Sequence, residues 1–135
     1  MERKNTISRK DLLLATFLSL LSFALYIRTL VPTLLTADAA EFQTLSYTLG
    51  MTHPSGYTTY VFLGKLFTLI PISNIAFRVN LMSAFFGAFA VGQVYLIIRK
   101  LGGWKVAAIA GAAGLMLNPL FWRRTIFAET YAPAA

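Results

Sequence analysis

The chain has 135 residues, of which 57% are hydrophobic and 13% are charged, and its mean hydropathy is +0.65. A soluble domain of average composition is about 45–50% apolar and about 25% charged. This chain therefore has too few charged side chains to cover a water-soluble surface, and its apolar content excludes intrinsic disorder. The composition predicts an integral membrane protein.

The formal net charge of +7 does not indicate a nucleic-acid partner. The basic residues lie in separate groups that flank the apolar segments, as the cytoplasmic ends of membrane spans do. Aromatic residues are not interleaved with them in the pattern of a single-strand-binding protein. We therefore expect the basic residues to lie next to a lipid bilayer, and we expect no nucleic-acid partner. The two main groups are Arg3, Lys4, Arg9 and Lys10, and Arg99, Lys100 and Lys105.

The first predicted membrane span is residues 12–31, which follows a short N-terminal tail at residues 1–11. About 20 apolar residues in a helix cross a hydrocarbon core of about 30 Å. A cleavable signal peptide is the alternative, because Ala37-Asp38-Ala39 resembles a cleavage site. The apolar segment is longer than the usual region of about 7–15 residues in such peptides, which favours a span.

A long polar-to-amphipathic stretch follows at residues 32–78, which we expect to be an extracytoplasmic loop. It contains two predicted short helices, residues 38–49 and residues 59–70. The second is apolar but contains Lys65, and runs of about 10–14 apolar residues are typical of interfacial or re-entrant segments rather than spans. If residues 59–70 did cross, the sidedness of everything after them would change, and charge counting alone leaves both arrangements open.

Residues 79–98 and 106–122 are the second and third predicted spans. Both contain small residues, which allow helix backbones to approach closely in lipid. Residues 123–135 then begin a further loop on the extracytoplasmic side. The predicted fold is all-α, with about three transmembrane helices and an external loop that contains interfacial helices.

Asp38 and Glu41 are the first candidates for chemistry, because they lie three residues apart on one face of a predicted helix. In one interpretation Asp38 is the N-cap and Glu41 completes a capping box, which stabilises the helix start. In the other, a carboxylate at the membrane surface acts as a general base or holds a metal ion. The spacing alone leaves both interpretations open.

Three further candidates lie in the same predicted loop. His53 lies in a turn rich in proline and glycine, and it is either a structural residue or a group that binds phosphate or transfers protons. Tyr57 has the position of an interfacial anchor, and we also expect it, like Glu129 further along the chain, to be among the residues that bind the substrate or donor. Lys65 either extends to the interface or contacts an anionic headgroup.

The last candidates follow the third predicted span. Arg123 and Arg124 form a pair that suits a phosphate through bidentate hydrogen bonds, and Glu129 is a single acid near the membrane surface. The chain has no cysteine and one histidine, so disulfides and a metal cage made only of histidines are excluded.

Five blocks of sequence, in order, carry a resemblance to a known family. Together they are similar to the domain-of-unknown-function family 2723, which resembles the protein O-mannosyltransferases, multispanning glycosyltransferases of the GT-C class. The resemblance covers about residues 20–135. The blocks begin with Asp38-Ala39-Ala40-Glu41-Phe42, the run from Leu49 through His53 and Tyr57 to Tyr60, and Leu63-Gly64-Lys65, and they continue with the run from Pro71 through Arg78 and Asn80 to Gly87, and Ala128-Glu129-Thr130-Tyr131.

The resemblance implies that the chain is the N-terminal portion of a larger enzyme, inactive alone, that transfers a sugar from a polyprenyl-phosphate donor to a hydroxyl on a protein or glycan. It implies that Asp38 is the catalytic base with Glu41 beside it, and that His53 and Lys65 lie near the donor phosphate. The basic residues that flank the first span predict a cytoplasmic N-terminus, and we expect the plasma (inner) membrane as the location. The need for a divalent metal is left open.

The sequence departs from the family pattern in the loop that carries these residues. Ala39 and Ala40 stand where the family has serine or glycine followed by glycine, and Ser55 and Thr58 stand where it has proline. The charged groups are unchanged. Two alternatives from other classes are a transporter, in which acids within the spans relay ions or protons, and a membrane scaffold in which the acids only cap a helix.

Overall fold

The structure, a computed structural model, describes residues 6–54 and 57–130. The ends of the predicted tail and of the final predicted loop, residues 1–5 and 131–135, lie outside these ranges. The described residues form helices joined by short connections, and the all-α prediction is confirmed. The helices are α1 (Arg9–Arg28), α2 (Ala37–Thr48), α3 (Thr58–Thr68), α4 (Ile75–Lys100), α5 (Lys105–Met116) and α6 (Pro119–Thr125).

Two helices, α1 and α4, are long and apolar enough to cross a membrane. They begin a few residues before the predicted spans at 12–31 and 79–98, because polar side chains cap their N-termini. The Ser8 hydroxyl accepts a hydrogen bond from the Asp11 backbone N–H, and the Asp11 carboxylate accepts one from the Ser8 N–H. The Asn74 side chain accepts a hydrogen bond from the Phe77 N–H at 2.9 Å.

The third predicted span, residues 106–122, is not one continuous helix. It is formed by α5 and α6, whose axes are bent by 61°. Pro119 has no backbone N–H to continue the hydrogen-bond ladder of α5. The Asn118 side chain accepts hydrogen bonds from the N–H groups of Leu120 and Phe121 at 2.9 and 3.1 Å, so a new helix starts there. The run of apolar residues conceals this break.

Helices α1 and α4 are antiparallel neighbours and form the centre of the fold. Gly92 of α4 allows this approach, because a Cβ atom there would lie 2.2 Å from the Ser19 hydroxyl and 3.0 Å from the Ala15 carbonyl. At one end, the Tyr95 hydroxyl contacts Asp11. We call the end of α4 at Lys100 the far end and the end at Ile75 the site end.

The site end holds α2, α3 and the chain that follows α6. Helix α3 has 11 residues, so it is about 16 Å long and too short to cross a core of about 30 Å. It packs closely on α2 at Gly64, where a Cβ atom would lie 2.3 Å from the Ser46 hydroxyl. The buried contacts that join these parts to α4 are made by Ala39, Phe42, Tyr60, Val79, Met82 and Ala128.

Candidate functional site

Helix α2 begins differently from the predicted capping box. Its N-cap is Thr36, whose side chain makes no capping hydrogen bond, and Ala37 follows with a φ of 56°. Such a left-handed conformation is strained for a residue with a side chain, and residues of this kind cluster at functional sites. Asp38 is therefore inside the first turn, and the interpretation of Asp38 and Glu41 as a capping box is wrong.

Glu41 binds His53 instead of the start of its own helix. One carboxylate oxygen, Oε1, accepts a hydrogen bond from the His53 backbone N–H at 2.7 Å. The other, Oε2, lies 2.9 Å from the ring Nδ1 of His53. The side chains of His53 and Glu41 are 40% and 30% exposed. The two residues thus form a partly exposed carboxylate–histidine pair across 12 positions of sequence.

The hydrogen bonds from His53 favour the ionised form of Glu41. The hydrogen bonds from the His53 side chain and backbone hold the pKa of the Glu41 carboxyl below its ordinary value. The carboxylate is therefore ionised at neutral pH and can only accept hydrogen bonds. It follows that Nδ1 of His53 carries a proton directed at Glu41. The second ring nitrogen, Nε2, is then the one available to a ligand.

Asp38 completes the cluster. Its carboxylate lies with ligand atoms of Glu41 and His53 in a group whose members are all within 4.8 Å of one another. Asp38 is exposed, and within residues 6–54 and 57–130 its carboxylate has no hydrogen-bond partner. Carboxylate oxygens and an imidazole nitrogen in this number are a ligand set for a divalent cation. Asp38 is thus both available to a substrate and close to the histidine pair.

An aromatic layer supports the cluster from the helix side. The Phe42 ring contacts the rings of Tyr60 and Tyr57 at centroid distances of 4.6 and 5.4 Å. Tyr57 also lies 5.3 Å from the His53 ring, and it is 36% exposed. Its φ of 33° is again left-handed, as at Ala37. Strained backbone therefore precedes Asp38 and lies beside His53.

A second acid–base pair lies at the site end. Arg124 donates a hydrogen bond to the Glu129 carboxylate at 2.5 Å. The Glu129 backbone N–H lies 3.4 Å from the Ser83 hydroxyl, which is 3.5 Å from the Tyr60 hydroxyl. Burial, with a further contribution from the Glu129 charge, raises the pKa of Tyr60. Arg123 is exposed on α6 beside this pair.

Lys65 lies apart from the histidine pair. Its ammonium group donates to the Tyr47 carbonyl at 2.6 Å and lies 4.8 Å from the centre of the Tyr47 ring. Tyr47 follows Glu41 by six residues, which is about 9 Å along a helix. The structure therefore brings Asp38, Glu41, His53 and Tyr57 together, and it leaves Lys65 at the other end of α2.

Two buried amides at this end were not predicted as functional. Asn80, fully buried on α4, and Gln43, 1% exposed on α2, are joined by a hydrogen bond of 2.8 Å. The signal that could have identified Asn80 is its position within an apolar helix, where a polar residue needs a partner. Gln43 carries no such signal, because α2 is polar on several sides.

The fold and the site define an all-helical integral membrane protein with a carboxylate–histidine cluster at one end of its spans. A family model described as the protein O-mannosyl-transferase TMEM260 N-terminal domain matches residues 38–135. The chain belongs to this family. The match begins at Asp38, so it includes every candidate residue described above.

Two curated relatives are similar to the chain over most of its length. It is 33% identical over 110 residues to the protein O-mannosyl-transferase TMEM260 of Mus musculus, which is 81% of this chain and 16% of the mouse protein. It is 28% identical over 111 residues to the tmem260 protein O-mannosyl-transferase of Dictyostelium discoideum, which is 80% of this chain and 14% of that protein. The chain thus spans about a sixth of these relatives. No solved structure gives a significant match.

Proposed function

We propose that the chain is the N-terminal part of a GT-C membrane glycosyltransferase that transfers a mannose-like sugar from a polyprenyl-phosphate donor to a hydroxyl of a protein or glycan acceptor. The observation that carries the proposal is the exposed Asp38 carboxylate, which makes no hydrogen bond within residues 6–54 and 57–130, beside the Glu41–His53 pair. The names of the relatives as O-mannosyl-transferases support it. We also propose that the chain is a member of the domain-of-unknown-function family 2723.

In the proposed reaction, Asp38 is the general base. It accepts the proton of the acceptor hydroxyl while the acceptor oxygen forms a bond to the anomeric carbon of the sugar. The bond between that carbon and the phosphate oxygen breaks, and polyprenyl phosphate leaves with the electron pair. A phosphate leaving group needs little protonation, so a base and stabilising cations are sufficient.

Glu41 and His53 have a shared role in this scheme. Glu41 orients the imidazole and fixes which ring nitrogen carries the proton, as a carboxylate does for a functional histidine. His53 then presents Nε2 toward the donor phosphate or the acceptor. Glu41 is therefore a positioning residue, and Asp38 is the catalytic one.

The donor phosphate is assigned to the cations of α6. Arg123 is exposed there, and Arg124 is held by Glu129, which keeps its guanidinium in one orientation for a charge-assisted hydrogen bond. Tyr57 presents an exposed ring edge beside His53 for the sugar. Lys65 is hydrogen-bonded to the Tyr47 carbonyl. It would contact only the polyprenyl chain of the donor, where that chain passes α3.

Asp38, Glu41 and His53 are also suited to hold a divalent cation. Such a cation would supply positive charge to a donor phosphate when bound. Mn²⁺ titration followed by electron paramagnetic resonance tests this, with His53→Gln as the variant that should weaken binding. If wild type and His53→Gln bind Mn²⁺ equally, the cluster is not a cation site.

The proposed topology has the N-terminus in the cytoplasm and the site end on the extracytoplasmic face of the plasma (inner) membrane. The antiparallel α1 and α4 and the short α3 support it. Since the chain has no cysteine, single cysteines at Met51 and Leu101, which are 88% and 80% exposed, report sidedness. An impermeant maleimide should label Met51→Cys from outside only and Leu101→Cys from inside only. Labelling of both from one side would exclude this topology.

The enzymatic proposal is tested with the full-length protein and a synthetic polyprenyl-phosphate [³H]mannose. We expect transfer to a peptide that contains serine and threonine and no transfer to the same peptide with alanine and valine in their place. Transfer from a soluble nucleotide sugar, or to the hydroxyl-free peptide, would contradict the proposed donor or acceptor.

A further inference from the structure

One fully buried side chain, Asn80, joins three separate segments of the chain. Its Nδ2 group donates to the Val31 carbonyl at 2.8 Å, just after α1. Its Oδ1 atom accepts from the Gln43 side chain on α2 at 2.8 Å. The same oxygen accepts from the Ala128 backbone N–H after α6, also at 2.8 Å. Both polar atoms of the amide are therefore used, although the residue lies on an apolar membrane helix.

The bond to Gln43 extends this connection into the loop before α2. The Gln43 Oε1 atom accepts from the Leu35 backbone N–H at 3.1 Å. Gln43 can do this only when its Nε2 group faces Asn80, so the orientation of each amide determines that of the other. The start of α2, where Asp38 lies, is thereby tied to α4 from two directions.

The segments joined by Asn80 carry the two halves of the site. Gln43 is two residues from Glu41 on the helix of the carboxylate cluster. Ala128 is next to Glu129, the partner of Arg124. Asn80 thus joins, through its hydrogen bonds, a backbone segment next to the carboxylate cluster and one next to the Arg124–Glu129 pair. The length of the Asn80 side chain limits how far apart these two segments can lie.

We propose that Asn80, with Gln43, is a positioning residue that sets the separation between the Asp38 base and the Arg124–Glu129 pair. This inference rests on the proposed sugar transfer for its functional meaning. A displacement of about 1 Å in a reacting group can reduce a rate by about 10²-fold. An amide is well suited to this role, because its acceptor and donor face two different segments at once and neither can shift without leaving a buried polar group unpaired.

The test compares two isosteric substitutions on the same helix. Asn80→Asp keeps the shape and the acceptor oxygens but removes the donor to Val31. Asn74→Asp is the matched control, because Asn74 Nδ2 also donates to a carbonyl of the same connection, Pro32, at 2.8 Å. Asn74 is exposed, its side chain makes no hydrogen bond to Gln43 or Ala128 among the described residues, and its helix-capping role is one that aspartate also performs.

We expect Asn80→Asp to lower kcat for sugar transfer by about 10–10²-fold with little change in KM for the donor, and Asn74→Asp to change kcat by less than about 2-fold. A second measurement does not depend on activity. Spin labels at Thr44→Cys on α2 and Leu120→Cys on α6, both exposed, should show a longer or broader distance distribution with Asn80→Asp and an unchanged one with Asn74→Asp.

The two readings separate the inference from the proposed function. An unchanged distance with Asn80→Asp, or equal losses of kcat in both variants, would overturn the positioning role. If the wild-type protein transferred no sugar but the distance changed only with Asn80→Asp, the positioning role would stand and the proposed function would fail. If Asn80→Asp did not fold, Gln43→Glu, which removes the Gln43 Nε2 donor to Asn80 Oδ1, should also lengthen or broaden the distance distribution, and an unchanged distance there would overturn the inference.

Discussion

The two ends of α4 each hold an acid–base pair at 2.9 Å, and the two pairs differ in almost every other respect. At the far end, Asp11 pairs with Arg99, and at the site end Glu41 pairs with His53. The Asp11 side chain is 2% exposed, whereas that of Glu41 is 30% exposed.

The Asp11 carboxylate is saturated with hydrogen bonds. It accepts from Ser8, from the Tyr95 hydroxyl and from Arg99, and Arg99 also donates to the Gly103 carbonyl at 2.6 Å. Both carboxylate oxygens of Asp11 are thus occupied by partners within the described residues. A charged residue in a span is often functional, as the transporter alternative requires. The burial of Asp11 and the full set of hydrogen bonds to its carboxylate are typical of a residue that joins two helices.

The site end has the opposite character, because the His53 side chain is 40% exposed and Asp38 is exposed. An open acid next to an oriented histidine can exchange protons with a substrate, and a buried, saturated one cannot. Exposure and unused hydrogen-bonding capacity, rather than the presence of charge, therefore distinguish the candidate active site from the structural tie.

The largest expected effect is that of Asp38→Asn at the site end. Removing a general base should lower kcat for sugar transfer by about 10²–10⁴-fold and leave the thermal midpoint unchanged, since the Asp38 carboxylate makes no hydrogen bond to any residue that the structure describes. The measurement is sugar transfer by the full-length variant, with circular dichroism to confirm folding.

Its counterpart, Asp11→Asn, should do the reverse. The ion pair to Arg99 is lost at the far end, so the thermal midpoint should fall, while transfer per folded molecule stays within about 2-fold. If a folded Asp11→Asn protein lost transfer as severely as Asp38→Asn, the far end would take part in the reaction, and its assignment as a purely structural cluster would be wrong.

Glu41→Gln should have a smaller effect than Asp38→Asn. The amide group of glutamine would face Nδ1 of His53 and force the proton onto Nε2, which reverses the donor and acceptor of the ring. We expect kcat to fall by about 10–100-fold, as for other groups that orient a functional side chain, and the acid limb of the pH–rate profile to shift. An unchanged profile together with an unchanged kcat would exclude an orienting role for Glu41.

Two glycine substitutions test how tightly the site end is packed. Gly64→Ala places a Cβ atom 2.3 Å from Ser46 between α2 and α3, and it should destabilise the fold by about 1–3 kcal/mol. Gly114→Ala on α5 meets nothing within 4 Å and should stabilise its helix by about 0.5–1 kcal/mol. Denaturant unfolding in detergent measures both. Equal effects would mean that the contact between α2 and α3 is loose.

The smallest effect is the dependence of the Glu41–His53 pair on pH. Because hydrogen bonds from His53 lower the pKa of Glu41 from its ordinary value of 4.5, the pair contributes its full stability above pH 4.5. That contribution is lost as the pH falls through the lower pKa of the folded state. The side-chain carboxyl carbon resonance of Glu41, followed by NMR, should therefore titrate only in acid, with its midpoint below the ordinary value of 4.5. A shift centred at or above pH 4.5 would contradict the hydrogen bonds to Glu41.

The sequence by itself determined the membrane class, the all-α fold and the approximate places of α1 through α4. These properties depend on local hydropathy and on capping residues such as Ser8 and Asn74, which act on neighbours in the chain. The spacing of Asp38 and Glu41 also indicated a polar helix face, but it could not separate a cap from a binding site. The break at Pro119 was readable in principle, and continuous apolar composition obscured it.

Only the tertiary structure decided what the polar residues contact. Glu41 meets His53 because α2 packs on α3 and His53, which follows α2, lies back against that helix. Asn80 meets Val31, Gln43 and Ala128 because the antiparallel α1 and α4 bring distant segments to the same end. Such contacts join residues up to 49 positions apart, and no local pattern specifies them, since they form only when the whole set of helices has packed.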